Sequence, residues 1–321
     1  MSRKKGRPRR PAQTHPAPKK AATVPEPRRP FGSALFGSAS SVMPPIGRSL
    51  GRGLLTVASS PALVVIAVVI VPLTWLTVLA IGFEGSPSRL VDVLALPPIS
   101  TYFDLGTGAS IVGVGPAFLI FTGVAIAIRS VVYAVLSGMI VEALEDGRVS
   151  TYGLLRSLRV IPTVIVVQIM SFSLIVAGNL VFPVLGPGIG FLAFVAALVG
   201  GLFFLGFAPT AAIRQGRGIA ETVRRSARAA MLPGSRHLVF CSLYFFIALP
   251  VVVGFAPGGG DITANPTLAT WIFALVVNVL HLGFMAALSY RWIVAEPLVP
   301  DQPTRRRQPA RQPSARARGR R

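Results

Sequence analysis

Four polar side chains interrupt otherwise apolar stretches of this sequence and could do chemistry together: Arg129, Gln168, Asn278 and His281. Asn278 and His281 are three residues apart, so on a helix they share a face. With Gln168, and with Asn179 of the same stretch, they could line a solute or proton path. They could equally make interhelical hydrogen bonds, worth about 0.6 kcal/mol each. A proton path ordinarily uses an intramembrane carboxylate, and none of the apolar stretches has one at its centre. Arg129 has two readings. On one continuous helix from Pro116 to Leu144 it lies near the middle and faces a bundle interior or a water cavity. On a helix beginning near Ile111 it lies at a boundary, where its stem snorkels, and an amphipathic extension runs on to Glu142, Glu145 and Asp146. Those acids could then pair with the arginines of the repeated motif described below, in a structural role.

Catalytic signatures are missing. There is no Walker sequence, GxSxG elbow, HExxH or dinucleotide-binding pattern, so no enzymatic activity is expected. A lone Cys241 excludes an intrachain disulfide, and His15, His237 and His281 are scattered, so neither a metal nor a cofactor is expected.

A second set of residues points to charge recognition. Residues 147–159 read GRVSTYGLLRSLR and residues 216–228 read GRGIAETVRRSAR. Both fit Gly-Arg, seven residues, then Arg-Ser-x-Arg, at an offset of 69 residues, and a proline follows each (Pro162, Pro233). On helical spacing the first copy gathers Leu154, Leu155, Leu158 and Ile161, with Arg148, Arg156 and Arg159 turned away. The second gathers Ile219, Val223, Ala227 and Ala230, opposite Glu221, Arg224, Arg225 and Arg228, with Glu221 and Arg225 spaced to pair. Such helices would lie along a membrane surface, each nearby Lys or Arg adding about 1 kcal/mol of attraction to an anionic leaflet. The expected binding residues are therefore Arg148, Arg156, Arg159, Arg217, Arg224, Arg225 and Arg228. The plainer alternative is that these arginines only signal topology.

The elements that must position these residues follow from composition. Of 321 residues 52% are hydrophobic and 13% charged, against roughly 25% charged in an ordinary globule. Apolar runs of about twenty residues are long enough for a hydrocarbon core of roughly 30 Å. The fold class expected is all-α, a polytopic membrane protein with six transmembrane helices and two cytoplasmic amphipathic helices. The spans fall at about Pro61–Ile81 (with Pro72 a kink), Ile111 or Pro116 onward, Val160–Phe182, Gly188–Ile213, His237–Phe255 and Leu268–Tyr290, with a tight turn over Pro183–Gly190. Residues 1–53 form a basic, proline-rich disordered tail, 54–295 the membrane domain, and 296–321 a second Arg/Pro-rich disordered tail. A secretory signal fits poorly, since the charged region is far too long and no small-residue cleavage site clearly follows the apolar run, and dense prolines argue against the amphipathic helix of a transit peptide.

Lys and Arg alternate between connections. The first tail holds twelve, residues 129–159 four, residues 214–236 six and the region after Tyr290 nine, while the other connections hold one, none and none. The positive-inside rule then puts both tails and both motif copies in the cytoplasm, in a plasma membrane. Trp75, Trp271, Trp292 and Tyr290 fall where an aromatic belt would. Ala193, Ala197 and Gly201, and again Gly283 and Ala287, recur every four residues, which lets helices approach closely within a chain or in a homo-oligomer.

The repeat unit would run over about 116–182 and 185–255, a parallel duplication. The stretches EDGRVSTYGLLRSLR and RQGRGIAETVRRSAR, each entering another span, resemble the membrane domain attached to some glycerophosphoryl diester phosphodiesterases and related uncharacterised prokaryotic membrane proteins. That resemblance covers about residues 110–290. It implies a membrane module only, because the clustered carboxylates and histidines of the phosphodiesterase barrel are missing. The function expected is non-enzymatic engagement of anionic lipid headgroups or of an acidic protein, with a small-solute transporter or channel as the alternative. The tails could also bind nucleic acid without sequence preference, through phosphates.

Overall fold

The computed structural model describes residues 43–66, 68–69, 72, 116–180, 182–232, 236–254 and 267–299. Among them all regular structure is helical. In chain order the helices are α1 (Ile46–Ala58), α2 (Pro116–Asp146), α3 (Thr151–Leu158), α4 (Ile161–Leu180), α5 (Phe182–Leu205), α6 (Ala208–Gln215), α7 (Ile219–Ala230), α8 (His237–Gly254) and α9 (Leu268–Ala295), closed by a 3₁₀ turn at Glu296–Leu298. Four stretches are long and apolar enough to cross a membrane: Ile126–Asp146, Ile161–Gly178, Val184–Gln215 and Leu268–Leu298. His237–Ile247 is a shorter apolar helix. These are the helices of a membrane protein. The first expected span is helical at residues 61–66, 68–69 and 72, and its remainder lies outside the described residues, as does Trp75.

Helix ends follow local chemistry. Ser150 caps α3 by accepting from the Tyr152 N–H at 3.1 Å, and Thr267 caps α9 by accepting from the Thr270 N–H at 3.3 Å. The break expected across Pro183–Gly190 is confined to Gly186, whose φ of 80° suits glycine, and Pro187 opens the helix that follows. A second break at Gly206 and Phe207 separates α5 from α6.

Small residues set the closest crossings. A Cβ added to Gly53 would meet the Gly283 carbonyl at 2.3 Å and the Ala287 nitrogen at 2.6 Å, so α1 crosses α9 nearly backbone to backbone. One added to Gly178 would meet the Ala197 Cβ at 3.1 Å and the Ala193 carbonyl at 3.2 Å. Both small-residue stripes therefore serve packing within the chain. One core joins Tyr133, Leu136 and Ile140 of α2 to Val164 of α4 and Leu282 of α9. Another joins Phe207, Ala229, Phe240 and Trp292.

Two boundaries differ from expectation. The segment read as a tail to residue 53 becomes helical at Ile46, and α1 buries Ser49 and Gly53. The last span continues past Tyr290 to Ala295, which makes Arg291 and Trp292 core residues rather than boundary ones, with Trp292 fully buried against Phe207 at 5.7 Å between rings. Residues 142–146 continue α2, as the expected extension to Asp146 has it.

Candidate functional site

Both motif copies begin at a helix end where the chain turns left-handed. Gly147 has φ of 69° just after α2, and Gly216 has φ of 59° just after α6. Each is the glycine of its Gly-Arg pair, a position that costs other residues about 1–2 kcal/mol. A helix follows in each case, and its motif serine is fully buried. The Ser157 hydroxyl donates to the Gly153 carbonyl at 2.6 Å, and the Ser226 hydroxyl donates to the Phe204 carbonyl at 2.7 Å.

The two segments meet through Arg156. Its Nε donates to the Ile213 carbonyl at 2.8 Å and an Nη donates to the Arg214 carbonyl at 3.2 Å. These carbonyls belong to the last turn of α6, where intrahelical donors run out and a cation meets the negative end of the helix dipole. Beside them the Arg214 guanidinium bridges Glu145 and Glu296, the latter at 2.5 Å, and Gln215 Nε2 donates to Glu296 at 2.7 Å. Glu142 accepts from the Ser150 N–H at 2.8 Å and from the Ser150 hydroxyl. A polar network thus ties the ends of α2, α3, α6 and α9 together at one level.

Several placements correct the sequence reading. The acidic residues Glu142 and Glu145 pair with Ser150 and Arg214, not with motif arginines. Arg156, expected among the outer binding arginines, turns inward, while Leu154, Leu155 and Leu158 share the outward face of α3 at 40%, 61% and 48% exposure. Arg225 is 4% exposed and belongs to the inner face of α7, with Thr222, Ser226, Ala229 and Ala230. Glu221 pairs instead with Arg224, at 3.6 Å. Arg148, Arg159, Arg217 and Arg224 are exposed, and Arg228 is partly so.

The four polar residues of the expected path lie on three helices, Arg129 on α2, Gln168 on α4, and Asn278 and His281 on α9. Arg129 is partly buried on α2. Gln168 and Ser171, on α4, are buried, and their Nε2 and Oγ have no hydrogen-bond partner among the described residues. Asn278 donates to the Ala274 carbonyl at 2.8 Å. His281 lines a pocket with Tyr133, Tyr244 and Phe284 among its neighbours, and its ring lies 5.8 Å from that of Tyr244. Among the described residues no three His, Cys, Asp or Glu side chains come together to hold a metal.

Arg291 was missed as a structural residue. It is fully buried, donates to the Pro44 carbonyl at 2.9 Å and to the Ser49 hydroxyl at 3.3 Å, and lies 5.0 Å from the Phe240 ring centroid. It fastens α1 to α9. Nearby, His237 stacks on Phe207 at 4.2 Å and completes an aromatic cluster with Phe203. An arginine one residue past a hydropathy boundary carries no sequence signal of burial.

Comparison with protein-family models, curated proteins and solved structures finds no match.

Proposed function

We propose that this chain is a non-enzymatic, six-span integral protein of a plasma membrane, with both termini cytoplasmic, that engages anionic lipid headgroups. The binding groups are the outward arginines of the two motif copies: Arg148 and Arg159 from the first, Arg217, Arg224 and Arg228 from the second. Arg156 and Arg225 leave the earlier set because they turn inward. The observation that carries the reading is the Arg156 contact with the end of α6. It brings both basic segments to one end of the bundle, where all five guanidinium groups can face one leaflet. Each would add about 1 kcal/mol of attraction near an anionic surface. Positive-inside counting makes that leaflet the cytoplasmic one.

The two copies are read as a parallel duplication. Matched left-handed glycines and matched buried serines support it, since a shared motif at chance positions has no reason to repeat a backbone conformation.

Native mass spectrometry of the purified protein with its endogenous lipids tests the proposal. Wild type should retain phosphatidylglycerol or another anionic lipid, and the variant with Arg148, Arg159, Arg217 and Arg224 all changed to Gln should lose it. Equal retention by both would refute it. An acidic protein co-purifying through the same arginines would redirect the reading to a protein partner. The transporter alternative draws on the buried Gln168 and Ser171 atoms that lack partners among the described residues. It requires solute flux that those four substitutions leave unchanged. Of the tails proposed for non-specific nucleic-acid binding, residues 1–42 and 300–321 lie outside the described residues.

A further inference from the structure

We propose that α3 is a membrane-inserted anchor, its leucines seated among lipid acyl chains, whereas α7 touches only the headgroup layer. This rests on the membrane reading above and deepens it by assigning the two motif copies different lipid contacts. At about 100° per residue, Leu154, Leu155 and Leu158 of α3 fall within one arc of about 100°. That arc is the outward face, with Tyr152 beside it at 68% exposure. The opposite side is fixed: Gly153 and Ser157 are buried, and a Cβ on Gly138 of α2 would meet the Ser157 Oγ at 1.8 Å and the Gly153 carbonyl at 2.9 Å. The helix therefore cannot roll its leucines inward without parting from α2.

Four large apolar side chains on one short helix, facing outward, need an apolar occupant. Two observations point to lipid. First, α3 joins two helices long and apolar enough to span a membrane, through four residues on one side and two on the other, so it sits at the level where a bilayer begins. Second, exposed arginines flank the leucine face, Arg148 before it and Arg159 after it, matching the headgroups above the chains. At the 69-residue offset Leu154, Leu155 and Leu158 correspond in α7 to Val223, Arg224 and Ala227, of which Arg224 alone is exposed, while Val223 packs against the core.

The test uses the full chain in vesicles of phosphatidylcholine and phosphatidylglycerol at 3:1. Single cysteines at Leu155→Cys and Ala220→Cys, in a Cys241→Ala background, carry an environment-sensitive fluorophore. Lipids bearing a nitroxide on the acyl chain should quench the label at 155 at least about threefold more than the label at 220, and aqueous iodide should show the reverse order. Equal acyl-chain quenching at the two sites overturns the proposal. So does a label at 155 shielded from iodide yet untouched by the nitroxide lipid, which would place a protein partner on the face. A label at Leu158→Cys repeats the comparison should Leu155→Cys assemble poorly. Quenching at 155 that persists in pure phosphatidylcholine still supports the anchor, and anionic selectivity would then fail by itself.

Discussion

The two copies of the Gly-Arg, Arg-Ser-x-Arg segment are alike in backbone and burial and unlike in what they show to the outside. At the 69-residue offset, buried Gly153, Ser157 and Val160 correspond to buried Thr222, Ser226 and Ala229, and the outward Leu155 corresponds to the outward Arg224. Tyr152 corresponds to Glu221 and Leu158 to Ala227. The shared motif residues thus set the turn and the rotation of the helix, and the residues between them choose what that rotation presents. The underside differs too. Gly138 lies beneath α3 where the second copy has Phe207, which stacks on His237 and packs against Trp292. One copy gains its seat by close approach, the other by filling space.

The largest break in this comparison is expected from Phe207→Ala, which empties a fully buried site and should cost about 3–5 kcal/mol in detergent unfolding followed by tryptophan fluorescence. Gly138→Ala comes next. Its Cβ forces α3 off α2, for about 1–3 kcal/mol, and should raise the reactivity of a cysteine placed at Gly153. Gly147→Ala and Gly216→Ala should each cost about 1–2 kcal/mol and match one another, because both positions need a positive φ. A clear inequality between them would argue against a shared turn. Ser226→Ala should cost about 1 kcal/mol, leaving the Phe204 carbonyl without its donor. The reciprocal exchange of Leu155→Arg and Arg224→Leu should stay within about 0.5 kcal/mol in stability and swap the lipid contacts of the two helices.

Long apolar helices were legible because hydropathy over about twenty residues is a strong signal: α4, α8 and the start of α9 fall within two residues of expectation. The stripes Ala193–Ala197 and Gly283–Ala287 correctly marked close crossings, since only small residues at one-turn spacing admit another backbone. What was illegible depends on distant partners. Helix α1 carries glycines and arginines and is held by Gly283 and Arg291, more than two hundred residues away. The phase of α7 was misjudged by roughly 90°, about a quarter turn, enough to bury Arg225, because an Ala- and Arg-rich helix has a weak apolar stripe to fix its rotation. For α3 the apolar stripe was read correctly. What periodicity did not show is that Arg156, on the opposite side, meets the α6 carbonyls instead of water.

The central claim is that both basic segments face one leaflet of a six-span protein. Membrane-impermeant thiol labelling tests it directly, with single cysteines at Arg148→Cys, Gly218→Cys and Ile262→Cys in a Cys241→Ala background, in intact cells and in inverted membrane vesicles. The first two should react only in inverted vesicles and the third only in intact cells. Labelling of positions 148 and 218 from opposite sides would contradict the account.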